Sequence, residues 1–275
     1  GTGLRLGRLI YPPGLYREAD EAEAAAALRR PDIAQPALGA VEVGLTRLLA
    51  GFGVSPQMAA GHSFGEYVAL HAAGALTTEA LFRVSEARGR FIVDEADGAE
   101  LGAMLAVRAA REDVMRVAQR FADVLVANHN APQQSILSGS RASIEAIHDT
   151  LIQDGIKARV LNVGAAFHSP FVAKARDRLA AFMDGLAFHT PAIPVYSNTT
   201  ARAHAAEPAT IRQVMAEHLV SPVEFVAQVE RMYEDGARVF VGVGPTGVIK
   251  GLIEQILDDR PHRELHGRHK SRPLR

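Results

Sequence analysis

Residues 101–166 constrain this chain more than any other stretch. LGAMLAV reads as a strand and REDVMRVAQR as a helix. DVLVAN and QSILSG read as strands, SIEAIHDTLIQDG as a helix, and KARVLNV as a last strand. In the second helix Ile144, Ile147 and Leu151 fall on one face, with Gly155 after it. The order β-α-β-β-α-β is the ferredoxin-like pattern.

Strands and helices also alternate on both sides of this segment. In ALGAVEVGLTRLLAGFG, Val41, Leu45, Leu48, Leu49 and Phe52 fall at i, i+4, i+7, i+8 and i+11. That spacing predicts one apolar helical face, which Gly53 can close. VSPQMAAG offers a short strand and EYVALHAAG a helix, and Thr77 or Thr78 can cap a third helix through Leu81, Val84, Phe91 and Ile92. Downstream come a helix over 171–185, the strand IPVYSN, helices around 208–219 and 223–235, the strand RVFVGV and a helix from Gly247. The alanine-rich EADEAEAAAALRR (18–30) suits a helix or a flexible arm. The pattern predicts an α/β fold with a mostly parallel sheet. A large domain over 1–100 and 167–275 is interrupted by a small ferredoxin-like domain over 101–166.

A net charge of -1 supplies no global field for nucleic acid. The chain has no cysteine, which excludes disulfides, thiol nucleophiles and thiolate metal sites. No stretch reaches the roughly 18 apolar residues of a membrane span, and GTGLRLGRLIYPPG lacks a signal-peptide core. A cytoplasmic setting is expected. The basic run HRELHGRHKSRPLR (262–275) reads as a solvated tail.

Gly61-His62-Ser63-Phe64-Gly65 is a G-x-S-x-G pentapeptide between a strand and a helix. At such a turn the serine stands exposed at the helix N-terminus, where backbone N–H groups meet developing negative charge. The Phe64 N–H is a natural oxyanion donor. Packing alone also places small residues at a strand-to-helix turn. A serine nucleophile needs a base. His168 and His189 stand in similar contexts, FHSP and FHTP, and position favours His168, which follows the last strand of the insertion. His62 adjoins Ser63, but sequence neighbours point apart at this turn, so it is a supporting candidate. Gly242-Val243-Gly244-Pro245-Thr246-Gly247 fits G-x-G-x-x-G, but a dinucleotide site needs a second strand with an acidic residue about 20 positions on, where the basic tail is expected. His262-Arg263-Glu264-Leu265-His266 misplaces its glutamate for a zinc helix.

GHSFGEYVAL, EARGRF (86–91), GAMLAV, ANHNAPQQSILSG, AFHSP, IPVYSN and VGVGPTGVIKGL, in that order and spacing, resemble the malonyl-CoA:acyl carrier protein transacylase family. The likeness is to acyltransferase domains of type I polyketide synthases, and runs from about residue 35 to 258. It implies a hydrolase-like α/β large domain with a ferredoxin-like insertion. It also implies that Ser63 accepts the acyl group, that His168 is its base, and that a backbone carbonyl near Ser221-Pro222-Val223-Glu224-Phe225 orients the imidazole. Arg88 would bind the free carboxylate of the malonyl group; the competing reading makes it a surface salt-bridge partner. Asn130, in N-x-N-x-P, would line the site. Substrate and partner follow from the resemblance: malonyl-CoA, the phosphopantetheine thiol of an acyl carrier protein, and neighbouring synthase domains, with no permanently bound cofactor, nucleic acid or membrane.

The sequence also departs from the family. Its members begin with a G-Q-G-S-Q-like segment that supplies a second oxyanion N–H; nothing here matches it, so an N-terminal segment is expected to be missing. Ala165-Ala166-Phe167-His168 shares its phenylalanine with malonyl-type domains, where a ring crowds an α-methyl branch. Phe64 after the nucleophile, with Asn130-Ala131-Pro132-Gln133, resembles iterative enediyne and polyunsaturated fatty acid synthases. A serine esterase or thioesterase, or a catalytically degenerate docking module, are the alternatives.

Overall fold

The computed structural model describes residues 6–11, 22, 25–96 and 101–266. The GTGLRLGRLIYPPG start, most of 18–24 and the end of the basic run lie partly or wholly outside these residues. Helices are α1 (Leu6–Ile10), α2 (Pro31–Gly51), α3 (Gly65–Ala72), α4 (Thr78–Ala96), α5 (Arg111–Ala118), α6 (Arg141–Gln153), α7 (Ala173–Asp184), α8 (Pro208–Glu217), α9 (Phe225–Glu234) and α10 (Val248–Leu257). Strands are β1 (Ala59–Ala60), β2 (Ala103–Arg108), β3 (Leu125–Ala131), β4 (Gln134–Gly139), β5 (Lys157–Val160), β6 (Val195–Tyr196), β7 (Val239–Gly242) and β8 (Arg263–His266).

The central segment forms a four-stranded antiparallel sheet in the order β3-β4-β2-β5, with α5 and α6 as its two crossovers. This is the ferredoxin-like order, with the first and third strands of the unit in the middle. Ile144, Ile147 and Leu151 of α6 are buried with Leu105, Val107, Val114 and Leu137. Ser140 caps α6 by accepting from the Ser143 N–H, and Gly155 takes φ 73° just beyond it, a conformation that favours glycine.

The flanking parts are α/β. Among the described residues their strands form two parallel pairs, β1-β6 and β7-β8. The core packs α3 and α4 against α7 and α8 through Leu70, Leu81, Val84, Leu179 and Met215. Thr77 caps α4, its hydroxyl accepting from the Ala80 N–H.

Two sequence expectations need correction. The face of α2 read from Val41 to Phe52 is not the buried one: Leu48 and Phe52 are exposed, whereas Ile33, Gln35, Pro36, Gly39 and Val43 are buried. The helix is apolar on several sides, so its periodicity admitted more than one inward face. The crossing with α4 decides between them. A Cβ on Gly89 would sit 2.3 Å from Pro31 O, so glycine lets the helices touch, and on α2 the contact runs from Pro31 towards Gly39, which faces Phe82 of α4 as well as Phe64. The second correction concerns the tail. Arg263–His266 is a strand, parallel to β7, because pairing there satisfies backbone groups that polar side chains could not announce.

Candidate active site

Ser63 stands between β1 and α3, at the turn the pentapeptide predicts. A Cβ on Gly61 would lie 1.9 Å from Gly65 C, so the first glycine is sterically required; at Gly65 a Cβ meets open space. Ser63 adopts φ 51° and His168 φ 57°. Left-handed backbone costs about 1–3 kcal/mol at a non-glycine residue, so neighbours must hold both. Asn198 holds the first: its Oδ1 accepts from the Ser63 N–H (2.6 Å) and its Nδ2 donates to Gly61 O (2.7 Å) and Gln228 Oε1 (3.0 Å). Leu219 holds the second, its carbonyl accepting from the His168 N–H.

Ser63 Oγ lies 2.7 Å from His168 Nε2. On the other side of the ring, Nδ1 faces Ser221 O (3.0 Å) and His218 O (3.2 Å). Both partners are carbonyls, so Nδ1 carries the proton and Nε2 is left to accept from the serine hydroxyl. Burial pushes the His168 pKa well below its ordinary value, and the nearby His218, Arg88 and His62 push the same way. A neutral imidazole is the form a general base needs. His189 is elsewhere, its N–H bonded to Ala75 O.

A cavity of about 240 Å³ opens at this pair. Ser63, His168, His62, Phe64, Phe167 and Arg88 all line it, joined by Gln35, Met104 and Asn128, which the sequence did not single out. Arg88 is 3% exposed, which removes the reading of it as a surface salt-bridge residue. Among the described residues no acidic side chain pairs with it, and its Nε has no hydrogen-bond partner. Burial lowers its pKa, opposed by the Tyr67 hydroxyl beside it.

Asn130 is misplaced by the sequence reading. Its Oδ1 binds His62 Nε2 at 2.6 Å, and the asparagine on the cavity wall is Asn128. Irregularities in the β3–β4 register on both sides of Asn128–His129 break the simple alternation. His62 thus lines the cavity while its ring nitrogen is engaged by Asn130, and its ring meets Phe225 edge-on at 5.2 Å.

Glu66, one residue past the pentapeptide, is a buried group that sequence reasoning missed. Its carboxylate accepts from the Asn198 N–H (2.7 Å) and faces His204 Nε2 (2.7 Å) and His218 Nε2 (3.4 Å). Burial alone would raise its pKa, but the two histidines outweigh burial and bring it to about 2. G-H-S-F-G-E gives no local sign of this role, because both histidines are distant in sequence.

The glycine loop between β7 and α10 does have a second parallel strand after it, contrary to expectation. It is nonetheless occupied by the chain itself. His266 stands 3.0 Å from a Cβ position on Gly242 and 3.6 Å from one on Gly247, and Glu264 contacts His262. Among the described residues no cluster of three or more His, Asp or Glu could hold a metal, and no helix is long and apolar enough to cross a membrane.

Residues 17–271 match the acyl transferase domain family. The chain belongs to that family. The acyl transferase domain is 37% identical over 246 residues to mycoketide-CoA synthase of Mycobacterium tuberculosis, covering 90% of this chain and 6% of that protein. It is 32% identical to the malonyl CoA-acyl carrier protein transacylase of Bacillus subtilis, covering 81% of this chain and 72% of that one. Among solved structures it superposes with a TM-score of 0.85 on the acyltransferase domain from the second module of the salinomycin polyketide synthase, at 33% identity, covering 98% of this chain and 61% of that one. The domain therefore spans only a small part of its large-synthase relatives.

Proposed function

We propose that the domain moves a malonyl group from malonyl-CoA, through an ester on Ser63, to the phosphopantetheine thiol of an acyl carrier protein. The observation that carries this reading is Arg88, a buried cation with no acidic partner among the described residues, on the wall of the cavity that holds Ser63 and His168. A malonyl carboxylate pairs with the guanidinium fork. An acetyl group leaves that charge buried and unpaired.

In the first half-reaction Ser63 Oγ attacks the thioester carbonyl as its proton passes to His168 Nε2. The oxyanion is met by the Phe64 N–H. The C–S bond then breaks and the departing coenzyme A sulfur takes the proton from His168. In the second half-reaction the carrier thiol gives its proton to His168 and attacks the Ser63 ester. The serine oxygen leaves and recovers that proton; because coenzyme A departs from the acyl-enzyme before the carrier thiol reacts, the kinetics are ping-pong. Phe167 crowds an α-branch and favours malonyl over methylmalonyl. Carrier protein and neighbouring synthase domains are the partners, and Phe64 with the Asn130–Gln133 segment supports an iterative enediyne or polyunsaturated fatty acid type of synthase.

A serine esterase would share the dyad but leave Arg88 without a role, and a degenerate docking module has no use for the Ser63–His168 contact. Intact-mass measurement after incubation with malonyl-, methylmalonyl- and acetyl-CoA, followed by holo carrier protein, tests the reading. A malonyl adduct absent from Ser63→Ala and discharged by the carrier is expected. Turnover to free malonate without carrier transfer would favour the esterase.

A further inference from the structure

We propose that Arg111 is a positioning residue for His168, acting through Glu224 on the chain segment that orients the imidazole. The proposal rests on the reading of Ser63 and His168 as the acylating pair.

The carbonyl of Ser221 orients His168, and the segment after it is tied down on three sides. Val223 pairs with the edge strand of the four-stranded unit: its N–H donates to Ala127 O (2.8 Å) and its carbonyl accepts from the His129 N–H (2.9 Å). The Glu224 N–H donates to Asn198 O (2.9 Å), and Asn198 itself holds the Ser63 N–H. The third tie is a side-chain fork. Arg111, the first residue of α5, donates from Nη1 to Glu224 Oε2 (2.5 Å) and from Nη2 to Glu224 Oε1 (2.8 Å). Its Nη1 also reaches His129 Nδ1 at 3.2 Å.

An arginine of the ferredoxin-like unit thereby grips the α/β part three residues beyond the carbonyl that sets the base. Each partner of the pair is about a quarter to a third exposed, so solvent screening keeps its contribution to stability small. A two-bond fork does, however, fix where the carboxylate sits. The charged and titratable groups near Arg111 are Glu224, Glu112 and His129. Those near His168 are His218, Arg88 and His62. The Ser221 bond holds the His168 pKa up against them, so loosening this segment leaves the base lower in pKa and worse aligned.

The test follows Ser63 modification by intact mass from pH 5 to 9, with malonyl-CoA and separately with diisopropyl fluorophosphate. Arg111→Gln and Glu224→Gln are each expected to lower the plateau rate about tenfold, as misplacement of a catalytic group does. Both also move the acid limb to lower pH and leave the KM for malonyl-CoA within twofold. The exchange Arg111→Glu with Glu224→Arg restores most of the rate, and Arg111→Lys falls between. Single variants with the wild-type plateau and acid limb overturn the proposal. So does a rate loss that accompanies a lower Tm with an unchanged pH profile and no rescue by the exchange, since that is the mark of a merely structural pair. Wild-type chain that reacts with the fluorophosphate but not with malonyl-CoA defeats the malonyl reading alone, and the fluorophosphate series still decides on Arg111. Wild-type chain inert to both reagents overturns the acylating pair and this inference together.

Discussion

Ser63 Oγ and His168 Nε2 meet at 2.7 Å from positions 105 residues apart, and both residues hold left-handed backbones. Neither conformation is one that serine or histidine favours alone. The pair exists because the turn at Gly61, the side chain of Asn198 and the Leu219 carbonyl hold the two backbones from outside, while the His218 and Ser221 carbonyls hold the imidazole.

Asn198 is the clearest of these supports. Asn198→Ala would strand the Gly61 carbonyl and the Gln228 amide and free the Ser63 N–H. Urea unfolding should show a loss of about 3 kcal/mol, from several buried groups left unpaired. Ser63 labelling should slow even at temperatures where the variant is folded. Unchanged labelling would assign Asn198 to stability only.

Burial, His218, Arg88 and His62 all lower the His168 pKa. The base works when neutral, so a lowered pKa extends activity toward acid. The acid limb of Ser63 acylation should lie well below the value of about 6.5 of a free imidazole. Arg88→Ala removes the guanidinium charge and should move the limb back up. A stopped-flow pH series on both proteins checks the position and the direction.

Arg88→Ala should also change acyl choice. Loss of a buried charge partner typically costs several kcal/mol, so malonyl transfer should fall by about 10²-fold or more. Acetyl transfer should hold or rise, because no unpaired guanidinium then faces the methyl group. Competition between malonyl- and acetyl-CoA, read by adduct mass, measures the ratio.

Glu42 on α2 is a partly buried carboxylate whose Oε2 has no partner among the described residues, and burial raises its pKa from 4.5 to about 7. Below pH 4.5 the group is protonated in both the folded and the unfolded chain. Between pH 4.5 and 7 the folded chain keeps a proton that the unfolded chain releases, so stability falls as pH rises; above pH 7 the loss is complete. Glu42→Gln should therefore stabilise the chain at pH 8 by ~2 kcal/mol at most and have little effect at pH 4. Denaturant midpoints at the two pH values test the sign.

By itself the sequence determined what depends on near neighbours. The Gly61–Gly65 turn, the cap at Thr77 or Thr78, the face of α6 and the β-α-β-β-α-β order all rest on contacts within a few residues, so short-range pattern carries them. Motif resemblance then named Ser63, His168 and Arg88. Tertiary structure decided what depends on distant chain. It turned α2 by the touch of Gly89 on Pro31, moved Asn130 off the cavity wall in favour of Asn128, and made a strand of Arg263–His266. It alone placed Glu66 between His204 and His218, and Arg111 on Glu224. A buried polar group is stable only where its partners converge, and convergence of residues a hundred positions apart leaves no local trace.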